Sequence, residues 1–418
     1  MAADASPKPI PPADRTLIRD LAKRVAEIAA MPIQAQRIKE WKRHNSLDRP
    51  RPMILFFPEG SWGELMPWSN IKVTDDRLKG IEYTLRTTIY QHEHFDVDNV
   101  VVADYGVGKA VNSTGWGLKP EWTFSKDPRG ARTFKPVIHE SADLKKITAP
   151  VLSYDEKATM ESLAFHQDLF GDIFNVKLCG MKHFSFHLMS QYTSLRGLEE
   201  VMMDMVLNPG MLHEAMSILE QAHHGVVRQM VEQNLLDLNN DNSYHSSGGN
   251  GWTDELPAKG FTPGRVRTCD VWASAEAQEL AQVSPEMHNE FSLQYEKRLM
   301  APFGLNGYGC CEDLTRKMDD VLTIPNIRRI SVSPWADVDV CAQKIGRKAI
   351  FSWKPHPAHL CGHFDEQAIR KYIAHTVEAT KGCCVEMILK DTHTCDNHPE
   401  RFDRWSKIAR EVIQEYGD

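Results

Sequence analysis

Apolar positions near the N-terminus recur at a helical spacing. Leu17, Ile18, Leu21, Val25 and Ile28 share one face of a segment over residues 14–31, and Pro32 stops it. A more polar, basic helix is expected over 33–44. After Arg49-Pro50-Arg51-Pro52 the pattern changes to short apolar runs bounded by polar residues. Strands are predicted at 53–57, 99–104, 176–178, 235–238, 265–272, 329–333, 348–353 and 384–389. Helical patterns follow the later runs. Pro285 opens a helix with Met287, Phe291, Tyr295 and Leu299 on one stripe, and Pro399 opens the last, with Phe402, Trp405, Ile408, Val412 and Ile413 facing a core. Strands alternating with helices imply parallel pairing, and about eight such units predict a (β/α)8 TIM barrel over 51–418, preceded by an N-terminal arm and helical extension over 1–50. An open doubly wound sheet is the alternative, but no Gly-x-Gly-x-x-Gly follows a strand.

A barrel does its chemistry at the C-terminal ends of its strands. That rule selects Glu59, Asp104, Tyr105, residues 240–245 with Asn240 and Tyr244, Trp272, Ser274, residues 308–312, residues 333–337 with Trp335 and Asp337, residues 353–359 with His356, and residues 391–395. Asp104, Asp337 and His356 would move protons, while Asn240, Tyr244, Trp272 and Trp335 would contact substrate. Residues 246–252, rich in Ser and Gly, read either as a mobile substrate cover or as a plain surface loop. Trp62, Trp68 and the Gly-aromatic stretches at 105–108 and 114–117 read either as walls for a flat organic substrate or a corrin face, or as ordinary core.

Composition narrows the function classes. Of 418 residues, 42% are hydrophobic and 25% charged, which fits a globular chain rather than a disordered one. The net charge of −8 argues against a nucleic-acid binder. No apolar run is long enough to cross a membrane. Residues 1–14 lack the apolar stretch of a secretory signal and read as a short arm. Nine cysteines, seven of them between Cys310 and Cys395, form an odd set in a long chain. The expectation is a reducing, cytoplasmic setting with thiolate or metal roles rather than a disulfide framework.

Four C-terminal segments carry a resemblance. Asp270-Val271-Trp272-Ala273-Ser274-Ala275-Glu276 runs into Ser284-Pro285-Glu286-Met287; Asn306-Gly307-Tyr308-Gly309-Cys310-Cys311-Glu312-Asp313 forms the second; Arg329 to Asp337, with the helix ending Ile345-Gly346, the third; and Asp391 to Cys395, leading through Asn397-His398-Pro399-Glu400, the fourth. In order and spacing they resemble the uroporphyrinogen decarboxylase superfamily, in its corrinoid-linked methyltransferase branch, well over 265–418 and loosely over 50–260. The arginine-rich motif of the decarboxylating members has no match around Arg49 and Arg51. The resemblance implies a barrel enzyme, often a homodimer, that moves a methyl group between a small organic substrate, such as a methoxylated or thiol compound, and a corrinoid cofactor. It also implies zinc, held by a His and a Cys two residues apart and by a distant Cys. Here those positions are Tyr308, Cys310 and Cys395. Tyr308 replaces the histidine and becomes a candidate hydrogen-bond donor. A third ligand would come from Glu312, or from His356, His359 or His393. Asp391-x-His393 is similar to a corrinoid-binding motif, but Asp396 stands where that motif has glycine, so a corrinoid would arrive on a partner protein or free. Two alternatives stay open: a metal-free, decarboxylase-like lyase acting on a carboxylated small molecule, and an inactive barrel that binds a ligand.

Overall fold

The computed structural model describes residues 9–126 and 132–416; residues 1–8 of the expected arm lie outside the described residues. The main sheet has seven parallel strands, numbered here in chain order: β1 (Met53–Phe56), β2 (Ser185–Phe186), β3 (Trp272–Ala275), β4 (Leu305–Tyr308), β5 (Ile327–Val332), β6 (Ile350–Trp353) and β7 (Cys384–Leu389). Their order is β1-β7-β6-β5-β4-β3-β2. β1, β3, β4, β6 and β7 are buried along their whole length, as expected where both faces of a parallel sheet are covered. Helices return the chain between successive strands. Ser284, Asp337 and Asp365 cap theirs by accepting from backbone N–H groups one turn in. The last helix, Glu400–Tyr416, buries the expected stripe, and Phe402 and Trp405 set their rings on Phe56 of β1.

The N-terminal half departs from the sequence pattern. Helices α1 (Pro12–Ala29) and α2 (Pro32–Asn45) form as expected. Of the strand expected at 99–104, residues 99–103 form none. Asp98 donates its N–H to the Ile54 carbonyl at 2.8 Å, but the Val101 N–H goes to the Gln34 side chain of α2 at 2.9 Å, so a helix side chain replaces the ladder. The strand begins later, at Asp104–Gly108, and pairs in parallel with Asn175–Cys179 outside the main sheet. Residues 235–238 are reduced to a single bridge, Leu236 with Met181. The strand expected at 265–272 begins at Trp272, which reverses that residue's place from strand end to strand start.

One face of the sheet packs on helices; the other holds a buried polar cluster between two small apolar ones. Arg329 of β5 is buried and sends Nε to Glu386 Oε1 at 2.8 Å. Ser352 of β6 donates to the same oxygen at 2.5 Å, and His44 of α2 lies 3.3 Å from Oε2. The guanidinium also donates to Asn45 Oδ1 (2.9 Å) and to the Asn250 carbonyl (3.1 Å), and it lies over the Trp272 ring. A small hairpin, Tyr244–His245 with Gly249–Asn250, fills the space above this face. Its glycines are required there. A Cβ on Gly249 would fall 2.3 Å from the Arg329 guanidinium carbon. One on Gly248, whose φ is +112°, would fall 2.5 Å from Ile388. Ser247, Asn250 and Thr253 are buried. Residues 246–252 are therefore an internal plug rather than a surface cover.

Removing one partner of a buried ion pair leaves an uncompensated charge, at about 3–5 kcal/mol. Glu386→Ala should lower unfolding stability by that order in urea titration, and far more than Glu411→Ala at the exposed pair with Arg370. Equal losses for the two variants would contradict the role given to Arg329.

Candidate active site

The cleft forms where the plug meets the C-terminal edge of β2, β3 and β4. Ser185 and then His187 come from β2, with His183 just before it. β3 supplies Ser274, Ala275 and then Glu276. Gly309 and Cys310 follow β4, and Tyr244, Ser246 and Ser247 come from the plug. The cleft is a half-open pocket of about 120 Å³. It suits a small, polar organic molecule.

Two reactive groups face this space. His187 bonds Glu276 Oε1 through Nδ1, and Glu276 is itself buried and fixed by the Gln278 N–H at 2.8 Å. Burial disfavours the charged ring, but the Glu276 carboxylate outweighs it and raises the pKa of His187. With Nδ1 engaged, Nε2 is the nitrogen left for a ligand. The second group is Cys310. Gly309, at φ +93°, turns the chain out of β4 and bonds Ala275. Cys310 then gives its N–H to Glu312 (2.7 Å), and Ser331 donates to its carbonyl (2.9 Å). Its thiol lies 3.6 Å from both Cys311 Sγ and Ser247 Oγ. The Cys311 hydrogen bond lowers the Cys310 pKa, burial opposes this, and Lys390 adds to the lowering. Lys390, at the end of β7, reaches Ser247 at 3.4 Å and Asp391 at 3.5 Å. Beneath them Glu312 is fully buried, and burial, then Glu276, push its carboxyl up to about 7.

Of the residues expected at the mouth, Tyr244, Ser274, Gly309 and Cys310 line this cleft and the others do not. Tyr308 points the other way. Side chains alternate along β4, so with Gly307 against Ser246 of the plug, Tyr308 faces the helix layer, where it donates to Glu296 (2.9 Å) and bonds His288 (2.9 Å). Trp272 lies under Arg329 at the start of β3, its indole N–H on the Gly251 carbonyl. Asp104 is paired with Lys177 and Asn175 in the outer two-stranded sheet. The Asn240 amide holds the Leu256 carbonyl at 2.7 Å. Asp337 caps a helix, and His356 caps a short turn and packs against the exposed Trp335.

The expected zinc set does not converge. The Cys395 thiol donates to Glu64 Oε2 at 3.0 Å, and burial, then Glu64, push it up to about 12; that sulfur is a protonated donor to a carboxylate. Cys310 keeps different neighbours, and Glu312 is taken up by the Cys310 backbone. Among the described residues no group of three or more His, Cys, Asp or Glu side chains is placed to hold a metal ion. The residues present do not fit a zinc centre of Cys310, Cys395 and Glu312. Among the described residues no helix is long and apolar enough to cross a membrane.

Sequence reasoning missed His187, Ser247 and Lys390 as site residues. A signal for His187 existed: His183, Ser185 and His187 alternate with Phe184 and Phe186, the period of a half-buried strand, over a run too short to stand out.

No family model matches the chain, and no curated protein matches it. Among solved structures the chain is similar to a methyltransferase from Methanosarcina mazei at 12% identity and a TM-score of 0.42, over 80% of this chain and 85% of that one. A likeness that loose carries no argument about the reaction.

Two outcomes follow from the cleft's electrostatics. With iodoacetamide at neutral pH and limiting reagent, Cys310 should be alkylated well before Cys395, as read by peptide mapping; the reverse order would contradict the assignment. The Glu312 carboxyl has a folded value above its ordinary 4.5. The folded chain therefore holds a proton that the unfolded chain releases, and stability falls as pH rises from about 4.5 to about 7, by on the order of 3 kcal/mol. Glu312→Gln should flatten that part of the pH–stability curve. An unchanged slope would show that Glu312 does not titrate as described.

Proposed function

We propose that this chain is an enzyme that transfers a methyl group of a small organic molecule held in the cleft, built on a (β/α)8-type barrel of the uroporphyrinogen decarboxylase kind. The observation that carries the reading is the meeting of a carboxylate-held imidazole, His187–Glu276, with the Cys310 thiol in one small chamber at the C-terminal edge of a parallel sheet. The barrel is our interpretation of the topology: Asp98 bonds Ile54 of β1, and Leu236 bridges Met181 just before β2, and these two segments would be its remaining staves.

In this reading the methyl group leaves its heteroatom without the bonding pair. The heteroatom keeps that pair and takes a proton from His187 Nε2, while Glu276 steadies the ring and its charge. Transfer in the other direction returns the proton to His187. Cys310 and Ser247 orient the heteroatom. A corrinoid carried by a partner protein would supply the centre that accepts or gives the methyl. The chamber would hold the methyl-bearing molecule, with such a ring outside it. The lyase alternative needs Asp104, Asp337 or His356 at the substrate, and none of them lines the cleft.

The test supplies reduced free cobalamin with methylated amines, thiols and methoxylated compounds and follows methylcobalamin formation by absorbance. The wild-type chain should turn over at least one donor, and His187→Asn should lower kcat by about 10²–10⁴-fold, the range of general acid–base catalysis. Full activity in His187→Asn, or release of carbon dioxide from a carboxylated substrate without methyl transfer, would overturn the proposal.

A further inference from the structure

Two adjacent cysteine pairs occur in this chain, and the fold treats them oppositely. Cys383 and Cys384 enter β7, where successive side chains point to opposite faces. Cys383 Sγ sits on the Ala342 carbonyl in the helix layer, and Cys384 Sγ sits on His44 toward α2; both are buried. Cys310 and Cys311 lie just past β4, in a stretch without regular structure that precedes the helix Met318–Val321. Their sulfurs are 3.6 Å apart, both residues are partly exposed, and Cys310 lines the cleft. Asp391 Oδ2 accepts from Cys311 at 3.5 Å, which keeps that sulfur beside its neighbour.

We propose that Cys310 and Cys311 form a vicinal dithiol site that closes into a disulfide by exchange with a small disulfide such as oxidised glutathione, and that closure withdraws the Cys310 thiol from the cleft. The chemistry balances in two displacements. The Cys310 sulfur, losing its proton, attacks one sulfur of glutathione disulfide. One glutathione leaves as its thiol, and a mixed disulfide forms on Cys310. The Cys311 sulfur then attacks Cys310 Sγ, forms the Cys310–Cys311 bond and releases the second glutathione. Two electrons and two protons pass from the dithiol to the glutathione pair. Adjacent Cα atoms stand about 3.8 Å apart across a trans peptide, below the roughly 4.4–6.8 Å that disulfides prefer. The closed form is therefore strained and readily reduced, which makes the step reversible. Gly309, already in a left-handed conformation, and the irregular stretch after Cys311 give the backbone room to adjust.

The modification is independent of methyl transfer, but its regulatory meaning rests on the cleft being the working site. The experiment therefore reads mass. The full-length chain is incubated with oxidised glutathione, quenched with iodoacetamide in denaturant, and digested with trypsin. The peptide Leu299–Arg316 holds Cys310 and Cys311 as its only cysteines, and Gly382–Lys390 holds Cys383 and Cys384. The expected result is an unalkylated Leu299–Arg316 lighter by two hydrogens, restored to two alkylated sites by dithiothreitol, while Gly382–Lys390 stays fully alkylated. Cys311→Ser should stop at the mixed disulfide on Cys310. A lasting mixed disulfide on the wild-type chain with Cys311 still alkylated, or two free thiols after oxidation, would overturn the proposal. A chain that oxidises as expected yet transfers no methyl group would leave the dithiol standing and sink the proposed function alone.

Discussion

A guanidinium sealed inside a parallel sheet must be neutralised, and much of this structure is arranged around that requirement. Arg329 cannot shed its charge, and an unpaired cation there would cost several kcal/mol. Glu386 answers it from two strands away, Ser352 holds the carboxylate from the strand between, and His44 stands at its other oxygen. Arg329 Nη2 reaches Asn45 and the Asn250 carbonyl, so α2 and the plug are bound into the same network. Arg329 thus joins three strands, an N-terminal helix and an internal loop. None of these contacts is local in sequence.

The cleft follows from that arrangement. With its lower part held by Arg329, the hairpin presents Tyr244, Ser246 and Ser247 upward, where β2, β3 and β4 end. The polar interior and the reactive edge are continuous through Lys354 and Lys390. Lys354 is fully buried with its ammonium on Ser352, and burial brings its pKa down to about 7. Lys390 keeps its charge through Tyr244, Cys310 and Asp391, even though burial opposes it. One lysine belongs to the network that supports the plug, and the other to the electrostatics of the thiol.

Legibility in the sequence tracked how local each cause was. The helices at both ends could be read because their apolar stripes and capping residues lie within a few turns, as at Ser284 and in the Phe402–Ile413 stripe. Buried strands such as β7 could be read because parallel pairing leaves them apolar on one face along their length. The segment at 99–104 looked like a strand, but the Gln34 side chain, 67 residues away, takes its ladder bond. Tyr308 and Cys310 were both legible as lying near a strand end. Only the turn at Gly309, at φ +93° just past the end of β4, breaks the strand alternation, so that Tyr308 enters the helix layer and Cys310 the cleft. Cys395 was lost as a metal ligand because Glu64, 331 residues away, claims its proton.

The floor of the chamber is a loop, whereas the walls are strand ends. Its height is fixed by two glycines whose missing side chains let the hairpin settle onto Arg329 and Ile388. Depth and chemistry are therefore written in separate parts of the chain. A longer or bulkier turn at 246–249 would make the chamber shallower and change which molecules fit, while leaving His187, Glu276 and Cys310 in place. Divergence among proteins of this design could then proceed by regauging the floor, with the reacting groups held fixed.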